Sequence, residues 1–133
     1  MSAVFADTFF FLGLLNRADA AHTRCLQFSQ THRAELLSTE WVLVELADAL
    51  CKPPLRERIG EFVGHLYRNP RVRIVPSSPE LLRRGLVLYT GRRDKAWSLT
   101  DCLSFVVMQD HALTDALTGD EHFEQAGFKA LLK

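Results

Sequence analysis

The chain has 133 residues, the size of one domain over 1–133, and its 47% hydrophobic and 24% charged residues are those of an ordinary globular protein. Sixteen Lys and Arg balance sixteen Asp and Glu, so no net charge pulls the whole molecule toward nucleic acid or an anionic surface. Cys25, Cys51 and Cys102 are odd in number, widely spaced and free of any C-x-x-C, which argues against a disulfide framework or a zinc knuckle; they are expected to be small buried hydrophobes in a reducing compartment.

The first element is Val4-Phe5-Ala6, an apolar run closed by Asp7 and Thr8, which reads as a buried strand with a carboxylate at its end. In parallel α/β sheets, ligands bind outside the carboxyl ends of the strands, so Asp7 marks a candidate site. Phe9–Asn16 reads as a short helix. The apolar stretch is not expected to act as a secretory signal, because nothing basic precedes Arg17 and Asp7 interrupts it. No segment reaches the ~18 apolar residues of a spanning helix, and a cytoplasmic location without a membrane is expected.

Asp19 is expected to cap a helix over Ala20–Thr31, with Ala21, Cys25, Phe28 and His32 on one stripe. Ala34–Ser38 is a second strand. Ser38 or Thr39 then caps a helix to about Cys51, stopped by Pro53-Pro54, with Leu43, Leu46, Ala47 and Leu50 as its apolar stripe and Trp41, Glu45 and Asp48 on another face. A helix from about Pro54 to Asn69 carries Leu55, Ile59, Phe62, Val63 and Leu66 at helical spacing. Val72–Val75 is a third strand, and Ser78-Pro79 opens a helix that Gly91 caps. Ser98 opens the most apolar helix, Leu99–Asp110. Ala116–Thr118 is a fourth strand, Asp120 or Thr118 caps a short helix ending at Gly127, and Phe128–Leu132 is a fifth strand. Alternating strands and helices predict an α/β fold, a parallel sheet of four to five strands covered on both faces.

Charge is unevenly spread. Residues 52–95 hold eleven Lys or Arg against four acids, a surplus of seven positive charges that the rest of the chain balances. A basic middle beside acidic ends suits a polyanion held over a cluster of carboxylates, although solvated helix faces would produce the same count.

Three acids share the character of Asp7. Glu45 lies among Val44, Leu46 and Ala47; Asp101 stands in the first turn of the most apolar helix; Asp120 follows the fourth strand. Each also fits a structural role: Asp101 completes a capping box with Ser98, Asp120 can be an N-cap, and Glu45 can pair with an arginine. Asp7 fits such a role least, because an acid flanked by phenylalanines at the end of an apolar strand must be paired or desolvated at a cost. Carboxylates gathered from separate strand ends suit a divalent cation such as Mg²⁺ or Mn²⁺, which activates water and offsets charge on phosphorus. Thr8 and Thr118 are placed to hold carboxylates or waters behind the ligands. The five histidines show no zinc spacing and are read as surface or packing residues.

Four blocks carry a resemblance: Phe5-Ala6-Asp7-Thr8; Ser38-Thr39-Glu40-Trp41-Val42-Leu43-Val44-Glu45-Leu46; Trp97-Ser98-Leu99-Thr100-Asp101-Cys102-Leu103-Ser104-Phe105; and Leu117-Thr118-Gly119-Asp120-Glu121-His122-Phe123. In order and spacing the chain resembles PIN-domain proteins, in particular the VapC-type ribonuclease toxins. The resemblance implies a three-layer α/β/α sandwich and a Mg²⁺- or Mn²⁺-dependent endoribonuclease acting on tRNA or another structured RNA. It implies a homodimer held inactive by a small antitoxin. It implies that Asp7, Glu45, Asp101 and Asp120 are the catalytic, metal-holding acids, with Asp120 the least uniform of the set. Arg92, Arg93 and Lys95 are expected to touch RNA phosphates. The alternative is an inactive PIN-like scaffold that binds RNA or a protein and uses the acids only as caps. A haloacid-dehalogenase-like phosphatase is excluded because position 9, where it needs a second Asp, is Phe.

Overall fold

The computed structural model describes residues 3–133 and closes the alternating pattern into a five-stranded, wholly parallel sheet. In chain order the elements are β1 (Val4–Ala6), α1 (Thr8–Leu15), α2 (His22–Thr31), β2 (Leu36–Thr39), α3 (Glu40–Ala49), α4 (Leu55–Arg68), β3 (Val72–Val75), α5 (Pro79–Gly91), α6 (Leu99–Asp110), β4 (Asp115–Leu117), α7 (Glu121–Gln125) and β5 (Lys129–Ala130). The strand order is β3-β2-β1-β4-β5. The chain thus winds outward from β1 in one direction, then returns to β4 and winds in the other. Right-handed crossovers place the two sets of helices on opposite faces, which gives the three-layer α/β/α architecture.

The centre of the sheet is β1. Phe5 pairs with Leu37 on one side and Ala116 on the other, and Val4, Phe5 and Ala6 are all buried. The order of strands reverses between β1 and β4, and such a switch point opens a crevice at the carboxyl ends of the strands. Asp7 stands at one lip of that crevice and Thr118 at the other. The apolar run after Asp7 folds as α1, whose Phe10 and Phe11 are buried against the core, each worth about 1.5–3 kcal/mol of burial. Helix α6 is buried from Asp101 to Met108, as its all-round apolar composition predicts. No described helix is long and apolar enough to cross a membrane.

Several local expectations change. Helix α2 begins at His22, not Ala20, because the Asp19 side chain accepts from the Ala21 amide at 2.8 Å and closes a turn before the helix starts. His32 lies just beyond α2 and is exposed, stacked on Phe28 with centroids 4.0 Å apart instead of joining the buried stripe. Gly91 is the last residue of α5, and Arg92 caps it with negative φ, so glycine's freedom is not used there. It is used at Gly127, where φ is +95° beyond α7. Cys25 and Cys102 are buried, whereas Cys51 follows the end of α3 and is exposed.

Candidate active site

Four carboxylates reach one cleft of about 380 Å³ from four different elements. Asp7 comes from the end of β1, Glu45 from the middle of α3, Asp101 from the first turn of α6 and Asp120 from the loop after β4. Among the described residues, no Lys or Arg lines the cleft.

Asp7 occupies the N-cap position of α1, yet its carboxylate does not cap the helix. It accepts instead from the Thr118 hydroxyl, at 2.9 Å to Oδ2. That hydroxyl in turn accepts from the Asp120 amide at 3.0 Å, so one threonine fixes two of the acids across the β1–β4 seam. Asp7 is only 6% exposed. Burial pushes its carboxyl up from 3.8 to about 7; the Thr118 bond opposes the rise, and the nearby charges of Asp101 and Glu45 add to it. A carboxylate made this costly to ionise, among other carboxylates and without a basic partner, lacks a countercharge.

Glu45 does not pair with an arginine. Its Oε1 accepts from the Thr8 hydroxyl at 2.5 Å, the residue next to Asp7. Each of the two threonine hydroxyls thus donates to one carboxylate of the cleft.

The capping roles of Asp101 and Asp120 are real and coexist with their place in the cleft. Ser98 Oγ accepts from the Asp101 amide (3.0 Å) and Asp101 Oδ2 accepts from the Ser98 amide (3.1 Å), a complete capping box. Asp120 Oδ1 accepts from the His122 amide at 2.9 Å. Caps use one oxygen of each carboxylate. Asp101 Oδ1 receives no hydrogen bond from the described residues.

His122 corrects the bland reading of the histidines. Its Nδ1 lies 3.0 Å from Asp101 Oδ2 and 3.6 Å from Asp120 Oδ2. Asp101, Asp120 and His122 offer ligand atoms all within 4.8 Å of one another. Burial alone would lower the imidazole pKa, but the bond to Asp101 and the charges of Asp120, Asp101 and Glu121 outweigh it and the net shift is upward. The sequence signal was Asp120-x-His122 at the start of α7: the residue two beyond an N-cap faces back toward it, so an imidazole there meets the capping carboxylate.

The three cations expected on RNA do not line the cleft. Arg92 donates to both oxygens of Asp94 at 3.1 and 3.2 Å and lies 4.8 Å over the Trp97 ring. Lys95 Nζ is 3.5 Å from Asp94, and Arg93 is exposed. They precede the segment from which Ala96 and Ser98 enter the cleft wall. A separate groove beside Phe10, Phe28, Phe62 and Leu66 has no carboxylate among its lining residues and offers no cation site.

All-oxygen donors with two hydroxyls behind them fit Mg²⁺ or Mn²⁺, and the adjoining imidazole is compatible with Mn²⁺. Thr118→Val is expected to weaken divalent-cation affinity by about 10- to 100-fold, because Asp7 and the Asp120 amide lose the same partner. Calorimetric titration with Mn²⁺ measures this; unchanged affinity would remove Thr118 from the site.

Residues 4–129 match the PIN domain family. Among solved structures, VapC20 of Mycobacterium tuberculosis, described as a sarcin–ricin-loop-cleaving toxin, superposes with a TM-score of 0.87 at 22% identity, covering 98% of this chain and 99% of that one. DNA-bound VapBC from Salmonella typhimurium gives 0.68 at 14% identity, over 98% of this chain and 97% of that chain. FitAcB from Neisseria gonorrhoeae gives 0.66 at 15%, over 96% and 95%. At these identities the likeness is one of fold. No curated protein matches the chain.

Proposed function

This chain belongs to the PIN-domain family, and from that premise we propose that it is a VapC-type toxin, an endoribonuclease dependent on Mg²⁺ or Mn²⁺. One observation carries the proposal: four acids line one cleft with no Lys or Arg among its described lining residues, and the innermost is pushed up to about 7. Caps alone do not need this convergence, since Asp7 caps nothing and Glu45, in the middle of α3, is bonded to Thr8 of α1.

Asp7, Glu45, Asp101 and Asp120 would hold the cation. When bound, such an ion supplies Lewis acidity, making water a better nucleophile at neutral pH and offsetting charge that builds on the phosphate. The chain's own residues prepare the ligands. Thr118 fixes Asp7 Oδ2, Thr8 fixes Glu45 Oε1, and the Ser98 amide with His122 fixes Asp101 Oδ2. To serve as a ligand, Asp7 would have to give up the proton that burial encourages it to keep, which would tie cation affinity to pH.

The substrate is tRNA or another structured RNA, cut to leave a 5′-phosphate and a 3′-hydroxyl. Arg93 contacts flanking phosphates, while Arg92 and Lys95 already share their charge with Asp94. The protein works in the cytoplasm as a homodimer restrained by a small antitoxin. Mn²⁺ titration of the native chain and of Asp101→Ala tests the reading. Binding that is lost or sharply weakened in the variant supports it; no binding by the native chain would favour the inactive scaffold.

A further inference from the structure

The chain has nine phenylalanines, and among the described residues eight of them pair with another aromatic ring. Phe9 is the exception. It follows Asp7 and Thr8 in the first turn of α1, beside Phe10 and Phe11, which are 2% and 1% exposed. Phe9 is half-buried and lines the carboxylate cleft together with Leu12, Ala49 and Ala96. The site thus has a polar floor of acids and an apolar wall whose one phenyl ring has no aromatic partner among the described residues.

That ring is held in place by the opposite strand loop. Phe9 lies over Gly119, between Thr118 and Asp120, so closely that a Cβ at position 119 would stand 2.6 Å from Phe9 Cζ and 2.9 Å from Cε2. A side chain at 119 and a phenyl at 9 cannot both occupy this place without one shifting. Gly119 is therefore not a turn glycine; its missing side chain is the space in which the Phe9 ring rests, across the seam from which Asp7 and Asp120 emerge.

Phe9 packs against the core yet keeps part of its ring open to the cleft, where a flat partner can reach it. RNA offers such a partner. Unstacked bases of loops and bulges are recognised by stacking on aromatic side chains, and every base has a face that can do so. A protein side chain offered to the same ring would bring no phosphate to the acids, whereas a base brings its own. We propose that Phe9 is the nucleobase platform of this site, receiving a base splayed out beside the scissile phosphate. This rests on the ribonuclease reading above and adds to it a residue that sets which nucleotide is presented.

The test is binding of a fluorescein-labelled RNA hairpin of mixed loop sequence to the Asp7→Asn chain, followed by anisotropy, with and without Phe9→Leu. Loss of one stacked base is expected to weaken binding by about 5- to 100-fold. Phe9→Trp should restore it, since an indole stacks as well as a phenyl. Mn²⁺ affinity of Phe9→Leu in the otherwise native chain should be unchanged, which separates substrate stacking from damage to the acids. Equal affinity of the Leu variant, or failure of Trp to rescue, would overturn the platform. If the Asp7→Asn chain binds no RNA at all although the native chain binds Mn²⁺, the ribonuclease reading falls, and the platform with it. Gly119→Ala supplies the independent check: it should weaken RNA binding by displacing the ring, and in the Phe9→Leu background it should have no further effect. Additive losses would contradict the shared contact.

Discussion

Asp7→Asn is expected to remove RNA cleavage, by on the order of 10³-fold or more, while leaving the fold intact. The size follows from the position of the group. Asp7 is the innermost acid of the cleft, and losing one preorganised transition-state partner elsewhere costs about 10²–10³ in rate. A neutral amide removes the charge that Asp7 would bring to the proposed cation site. The fold survives because the amide keeps the shape, and its Oδ1 can still accept from the Thr118 hydroxyl that now holds Asp7 Oδ2. Single-turnover cleavage of labelled RNA in excess Mn²⁺ measures the loss, and circular dichroism confirms that the chain is folded. Cleavage within tenfold of the native rate would remove Asp7 from the chemistry.

In the absence of divalent ions, the native chain should lose stability as pH rises from about 4 to about 7, and Asp7→Asn should escape most of that loss. The carboxyl is raised from 3.8 to about 7 by burial. Below about pH 4 both folded and unfolded states hold the proton, and the group costs nothing. Above it the unfolded chain ionises first, so each further pH unit favours unfolding until the folded group also ionises near 7. The full span corresponds to roughly 4 kcal/mol, a large part of the 5–15 kcal/mol by which domains are stable. His122, whose net shift is also upward, pushes in the same direction, because its extra proton stabilises the folded state only at lower pH. The native-versus-Asn comparison therefore isolates Asp7. Urea unfolding in chelator at about pH 5 and pH 8 decides the matter. Parallel curves for the two chains would mean that Asp7 ionises without penalty.

Much of this site was legible from residue order. Asp7 at the end of an apolar run marked a strand edge, and the Ser98-to-Asp101 spacing fixed the start of α6, because a capping box can be satisfied at one place only. The alternation of elements gave the parallel sheet, and the strand bounds differ by a residue or two where hydrogen bonding between strands, not propensity, decides the end. Three things were not legible. Asp19 closes its own turn instead of capping the next helix, a competition between two local bonds that the residue type alone cannot rank. The contact of His122 with Asp101, 21 positions earlier in the chain, lies beyond what the local Asp120-x-His122 spacing announces. The Phe9–Gly119 contact spans the β1–β4 seam, and nothing local to either residue announces it. The basic middle is a further lesson. Arg84 is bound bidentately to Asp110 at 2.6 and 2.8 Å, and Arg92 to Asp94, so part of the apparent surplus is already paired on the surface.

The most direct test is the chemistry of the RNA ends made by the purified chain. With Mn²⁺ present, cleavage should leave 5′-phosphates and 3′-hydroxyls, stop on adding chelator and return on restoring the ion, as expected when a divalent cation activates water against the phosphate. Ends carrying 2′,3′-cyclic phosphates, formed equally well in chelator, would mean that the RNA's own 2′-hydroxyl attacks without a metal, and would contradict the role given to the four acids.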